Sequence, residues 1–127
     1  MAISVKHPLN TIYSVSYKDL LGQSLLLLDE GHCLRDQALQ LCQLEGLNEM
    51  QDVRASSLET LRQMVRADTG ITLMPTVAIQ GDTADIRYLP FSPPTPSRRI
   101  CLVRRKSSSR LPVISSLKNI ILQLFRA

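Results

Sequence analysis

Ser24-Leu25-Leu26-Leu27-Leu28-Asp29-Glu30-Gly31-His32-Cys33-Leu34-Arg35-Asp36-Gln37-Ala38 is the stretch on which the fold turns. Its four consecutive leucines show no polar alternation, so both faces of the strand they predict are covered, as in a sheet with helices on either side. Asp29-Glu30-Gly31 is turn chemistry at the strand's C-terminal end. A helix is predicted over Leu34–Leu44, with Leu34, Ala38, Leu41 and Cys42 recurring at helical spacing, closed by Gly46 and Asn48.

Working outward, the same alternation repeats. Val53-Arg54-Ala55 is a short strand candidate, and Ser56-Ser57-Leu58-Glu59 reads as a capping box. The helix it opens sets Leu58, Leu61, Met64 and Val65 on one face and ends at Gly70. Ile71–Met74 follows as a strand stopped by Pro75. Strand–helix–strand–helix–strand with short loops is the pattern of a parallel α/β sheet, and residues 17–85 are expected to form it. Upstream, Ala2–Val5 is a strand candidate broken at His7-Pro8-Leu9-Asn10. Downstream, Ile86–Leu89 is a strand and Pro90–Pro96 an extended linker. Ile100–Val103 is a further strand. A helix starting at Pro112 turns Val113, Leu117, Ile120, Ile121 and Leu124 inward. The proline-rich crossover divides the chain into 1–91 and 92–127, the second part built to pack on another subdomain.

Composition limits the function classes. With 127 residues, 44% hydrophobic and 20% charged, the chain is the size and make-up of one globular domain. Leu25–Leu28 is the longest aliphatic run, far short of the ~18 residues of a membrane span, and Met1–Leu9 lacks the apolar stretch of a secretory signal. A cytoplasmic protein with no membrane partner is expected. Residues 1–85 hold 6 basic and 11 acidic side chains, whereas residues 86–127 hold 9 basic and none acidic. Such a basic end can mark a face for nucleic acid or phosphate, but charge runs usually face solvent, and a solvated strand end and terminal helix is the favoured reading. The chain has no Trp, 2 Phe and 3 Tyr, too few aromatic rings to stack unpaired bases.

Three cysteines, Cys33, Cys42 and Cys101, make no disulfide scaffold, and no Cys/His spacing suggests a metal cage, so neither metal nor cofactor is expected. Cys33 stands at the start of a helix, where unpaired N–H groups favour an anion and His32 and Arg35 are near in sequence. This setting favours the thiolate that attacks peroxide or disulfide. Cys42, nine residues on, is placed to resolve a sulfenic acid. Spacing alone leaves both a redox role and two inert packing cysteines open.

Gly31-His32-Cys33-Leu34-Arg35-Asp36-Gln37-Ala38 with Cys42 beyond resembles the redox-switch segment of the OxyR-like hydrogen-peroxide sensors, within the LysR-type transcriptional regulators. The resemblance continues through Arg54-Ala55-Ser56-Ser57-Leu58-Glu59-Thr60-Leu61-Arg62, Gly70-Ile71-Thr72-Leu73-Met74-Pro75, Tyr88-Leu89-Pro90 and Arg98-Arg99. It implies a Rossmann-like effector subdomain of the type 2 periplasmic-binding-protein kind, plus the returning strands and C-terminal helix of an incomplete second subdomain. It implies Cys33 as the peroxide-reacting cysteine, Cys42 as its disulfide partner, His32 and Asp36 as residues shaping the peroxide pocket, and Arg99 as support for the thiolate. It also implies a thiol reductant such as glutaredoxin or thioredoxin, a homo-oligomer in the full regulator, and no enzymatic turnover. The family's N-terminal winged helix-turn-helix, linker helix and first half of an effector subdomain have no counterpart here. DNA binding is therefore expected to belong to that domain and not to Arg98–Arg110, and the chain is expected to be a fragment. Two other readings share these residues: an effector domain binding a small metabolite, with cysteines that only pack, and a small thiol peroxidase using Cys33.

Overall fold

Leu25, Leu26, Leu27 and Leu28 form the centre of the fold, all buried in strand β2 (Ser24–Leu28). The computed structural model describes residues 1–45, 48–79, 81 and 84–124, with backbone alone for 41–45 and 48–53. Successive side chains of a strand point to opposite faces, and the four leucines divide accordingly. Leu25 and Leu27 join Met1, Ile3, Val15, Leu20, Ala38 and Ile71 in one core. Leu26 and Leu28 join Ala2, Ala55, Leu61, Val65 and Ile86 in the other. Burying each leucine is worth about 2 kcal/mol, and the pattern works only if both faces are roofed. Helix α1 (Cys33–Glu45) contributes Ala38 to the first core. Helix α2 (Leu58–Arg66) contributes Leu61 and Val65 to the second.

The parallel sheet expected from the leucine run is present, with an antiparallel edge that the sequence reading did not contain. Strand β3 (Asn48–Ala55) pairs in parallel with β2, from Ser24↔Asn48 to Leu28↔Ala55, with an irregularity between Leu25 and Leu27. Asn48 therefore opens a strand instead of closing a helix, and β3 begins well before Val53. Its first residues are too polar to signal a strand. Gly46, the expected helix stop, lies outside the described residues. On the other side of β2, the Leu26 N–H donates to the Ile71 carbonyl at 2.8 Å and the Ile71 N–H to the Ser24 carbonyl at 3.0 Å. Thr72 then bridges antiparallel to Ala2 of β1 (Ala2–Ser4), which pairs antiparallel with β4 (Ile86–Tyr88). Ladder pairing at 71–74 stops after Thr72, shorter than expected, and Pro75 offers no N–H to carry it further.

Two local devices hold α2. Ser57 is its N-cap, accepting from the Thr60 N–H at 3.1 Å, so the expected box of Ser56 and Glu59 is displaced by one residue. Glu59 instead accepts from Arg62 at 2.7 Å and Gln63 at 2.8 Å, and the Arg62 bond holds its carboxyl below the usual range. Arg62 is buried and also donates to the Tyr88 hydroxyl and the Ala78 carbonyl, fastening α2 to β4 and to the short turn Thr76–Ala78. Gly70 lets the 70–72 segment lie against β2: a Cβ there would sit 2.6 Å from the Ser24 carbonyl oxygen.

The chain divides into two compact units, Met1–Pro96 and Ser97–Ala127. Phe91 bridges Val15 within the first, its ring 5.7 Å from that of Tyr17. In the second unit, helix α3 (Leu111–Leu124) forms as expected from Pro112. Its apolar face is left uncovered, as expected of a helix built to pack on another subdomain: Val113, Leu117, Ile120 and Leu124 are exposed. Residues 100–103 are not a strand among the described residues, and Ile100, Leu102 and Val103 are likewise exposed. A β-branched apolar run becomes a strand only when a neighbouring backbone pairs with it, and none of the described residues supplies that pairing.

Candidate redox site

Between β2 and α1 the chain turns through Asp29-Glu30-Gly31-His32. The Asp29 N–H donates to the Ala55 carbonyl at 2.9 Å, carrying the parallel ladder one residue past β2. Gly31 then takes φ 87°, a left-handed value that disfavours any side chain. Glu30 reaches Arg54 at 3.2 Å, an exposed pair worth well under ~1 kcal/mol that ties the turn loosely to β3. The first turn of α1 is set by the Arg35 N–H donating to the His32 carbonyl at 2.8 Å.

This turn places the expected residues as follows. His32, Cys33 and Asp36 are all exposed on the N-terminal turn of α1, at the C-terminal edge of the parallel strands, where ligands of open α/β sheets bind. Cys33 is the first helical residue, so it lies beside N–H groups without intrahelical partners and at the positive end of the helix dipole. Asp36, three residues on, falls on the same face of the helix as Cys33. Cys42 stands in the same continuous helix, whose backbone separates the two positions by nine rises, about 13–14 Å along the axis and on opposite faces. A disulfide needs Cα atoms within roughly 7 Å. Helix α1 as it stands therefore could not hold a bond between these two positions without unwinding. Arg99 belongs to the second unit, where it is exposed. Cys101 is exposed there too, and not inside a strand as expected.

The residue that sequence reasoning misplaced is Arg35. It reads as a cationic neighbour of Cys33, but its side chain is buried, and its Nη1 donates to the Leu28 carbonyl at 3.1 Å. It lines a small cavity beneath α1 with Leu26, Leu28, Leu34, Ala38 and Thr72. The helical spacing of Arg35 and Ala38 was the available signal.

The unit is a mixed α/β fold with parallel strands and an exposed cysteine on the turn at their C-terminal edge. The chain belongs to the LysR substrate binding domain family, which matches residues 1–126. Within that class its similarities are more particular. It is 44% identical over 110 residues to the hydrogen peroxide-inducible genes activator of Haemophilus influenzae, covering 85% of this chain and 36% of that protein. The chain thus spans about a third of that relative's length. The crystal structure of the oxidized form of OxyR is similar at TM-score 0.77 and 43% identity, over 94% of this chain and 57% of that one. The reduced form of OxyR is similar at TM-score 0.79 and 40% identity, over 94% and 56%.

Proposed function

We propose that this chain is the redox-sensing part of a LysR-type transcriptional regulator, responding to hydrogen peroxide by reversible formation of a Cys33–Cys42 disulfide. The observation that carries the reading is Cys33, exposed as the first residue of α1, with Cys42 nine residues along the same helix. The likeness to a peroxide-inducible activator and to both redox forms of OxyR supports it. In the first step the Cys33 thiolate attacks one peroxide oxygen; the O–O bond breaks, hydroxide leaves, and Cys33 becomes a sulfenic acid. In the second, the Cys42 thiolate attacks the Cys33 sulfur, the S–S bond forms, and the sulfenic oxygen departs as water. Two thiols and one peroxide give one disulfide and two waters.

His32 and Asp36 shape the approach of peroxide. A dithiol reductant of the glutaredoxin or thioredoxin kind restores the thiols by exchange. The reaction is stoichiometric signalling in the cytoplasm, not turnover, and the output passes through a homo-oligomer to DNA held by a domain outside this chain. The experiment is intact mass and peptide mapping after limiting peroxide. The chain should lose two hydrogens and yield a Cys33–Cys42 cross-linked peptide with Cys101 still alkylatable. A Cys33–Cys101 link sinks the assignment, and sustained peroxide consumption with a thiol reductant would move the chain to the peroxidases.

A further inference from the structure

The carbonyls of β2 that face the 71–72 segment are satisfied in three different ways. Ser24 accepts from the Ile71 backbone at 3.0 Å, Leu26 from the Thr72 hydroxyl at 2.9 Å, and Leu28 from the Arg35 guanidinium at 3.1 Å. The cause is the neighbouring chain, whose ladder pairing with β2 ends at Ile71 and which reaches Pro75 soon after, leaving Leu28 beyond the ladder. A buried carbonyl left without a donor costs free energy, and Arg35 supplies one from the first turn of α1. Arg35 is also only 7% exposed, unusual for a residue type that is almost never fully buried unless paired.

Arg35 stands two residues after Cys33 and seven before Cys42, wholly inside the segment that a disulfide between them must unwind. We propose that Arg35 is the latch of the switch: a positioning residue whose bond to the Leu28 carbonyl fastens α1 to the end of β2 and so sets the redox potential of the cysteine pair. The inference rests on the redox reading above. In the dithiol form the latch is closed. In the disulfide form the backbone carrying Arg35 leaves the helix, so the guanidinium withdraws and its contribution is lost. Stabilising the reduced form makes a disulfide more oxidising, so the latch raises the potential at which the switch responds.

The test uses the 127-residue chain with Arg35→Gln, which shortens and neutralises the side chain, and Arg35→Lys, which keeps the charge without the planar fork. Each is equilibrated in glutathione buffers, where one glutathione disulfide is reduced to two thiols as Cys33 and Cys42 are oxidised. Arg35→Gln should favour the protein disulfide about tenfold, equivalent to a potential about 30 mV more negative, with Arg35→Lys between it and the parent. Hydrogen exchange on the reduced proteins reads the latch without any oxidation: amides of α1 should exchange about tenfold faster in Arg35→Gln, while those of α2 stay unchanged. If Arg35→Gln does not fold, Arg35→Lys carries both measurements. A merely structural role would speed exchange in α1 and α2 together and leave the potential at the parent value, overturning the latch. Selective loosening of α1 with an unchanged potential also overturns it. A parent chain that forms no Cys33–Cys42 disulfide at any buffer ratio removes the redox reading itself, and the latch with it, even if α1 loosens selectively.

Discussion

Stoichiometric oxidation should remove about a third of the α-helical signal of this chain. Helix α1 has 13 residues, α2 has 9 and α3 has 14. To bring Cα atoms from about 13–14 Å to within roughly 7 Å, the backbone must reverse direction between Cys33 and Cys42, which takes at least a four-residue turn. The remnants on either side are far below the ~12–15 residues at which an isolated helix is even marginal. All thirteen residues of α1 therefore leave the helix together. Ala38, buried, and Leu34, half-buried, lose cover, at a cost of about 2 kcal/mol. Far-UV circular dichroism before and after one equivalent of peroxide measures the loss, and hydrogen exchange places it in 33–45. A chain whose disulfide is complete by mapping, yet whose helical signal is unchanged, would refute the incompatibility of helix and bond.

Three further outcomes follow from the packing. Gly70→Ala places a Cβ 2.6 Å from a backbone oxygen of β2 and should lower stability by about 1–3 kcal/mol, read as a fall in the urea midpoint; an unchanged midpoint would show that the strands can part there. Leu26→Ala empties a fully buried site in the second core and should cost about 3 kcal/mol by the same assay, with a value below about 1 kcal/mol arguing against a close-packed core. Asp19, whose carboxyl accepts from the Ser16 hydroxyl and N–H, is held below the usual carboxylate range. Its contribution is present above its unfolded pKa of about 4 and is lost as pH falls through the lower folded value. Asp19→Asn should therefore flatten the acid limb of the stability profile, and an unaltered limb would exclude it.

What was legible in the sequence was whatever the chain decides locally. The leucine run reads as a covered strand because turn residues at Gly22 and Asp29–Gly31 bound it too closely for a helix, and Cys33 reads as opening a helix because Gly31 and His32 precede the first apolar spacing. What was not legible depends on partners distant in sequence. Ala2 pairs with Thr72 and Tyr88, and nothing in residues 1–5 announces an antiparallel edge. The 48–55 strand hid because its polar first residues draw their conformation from β2. Ile100–Val103 erred in the other direction: the propensity is there, but no described neighbour pairs with it. At the site, the cysteines were found by type and position, whereas Arg35 was missed because its role depends on where the neighbouring chain stops pairing with β2.

The pairing of Ala2 with Tyr88 sets an order on synthesis. β2, α1 and β3 can associate as soon as they leave the ribosome, but β1 must wait for partners that emerge some 70 to 86 residues later. At about 5–20 residues per second, that wait lasts roughly 4–17 s. Throughout it, Ala2 and Ile3, both fully buried in the finished fold, lack the strand partners that cover them there.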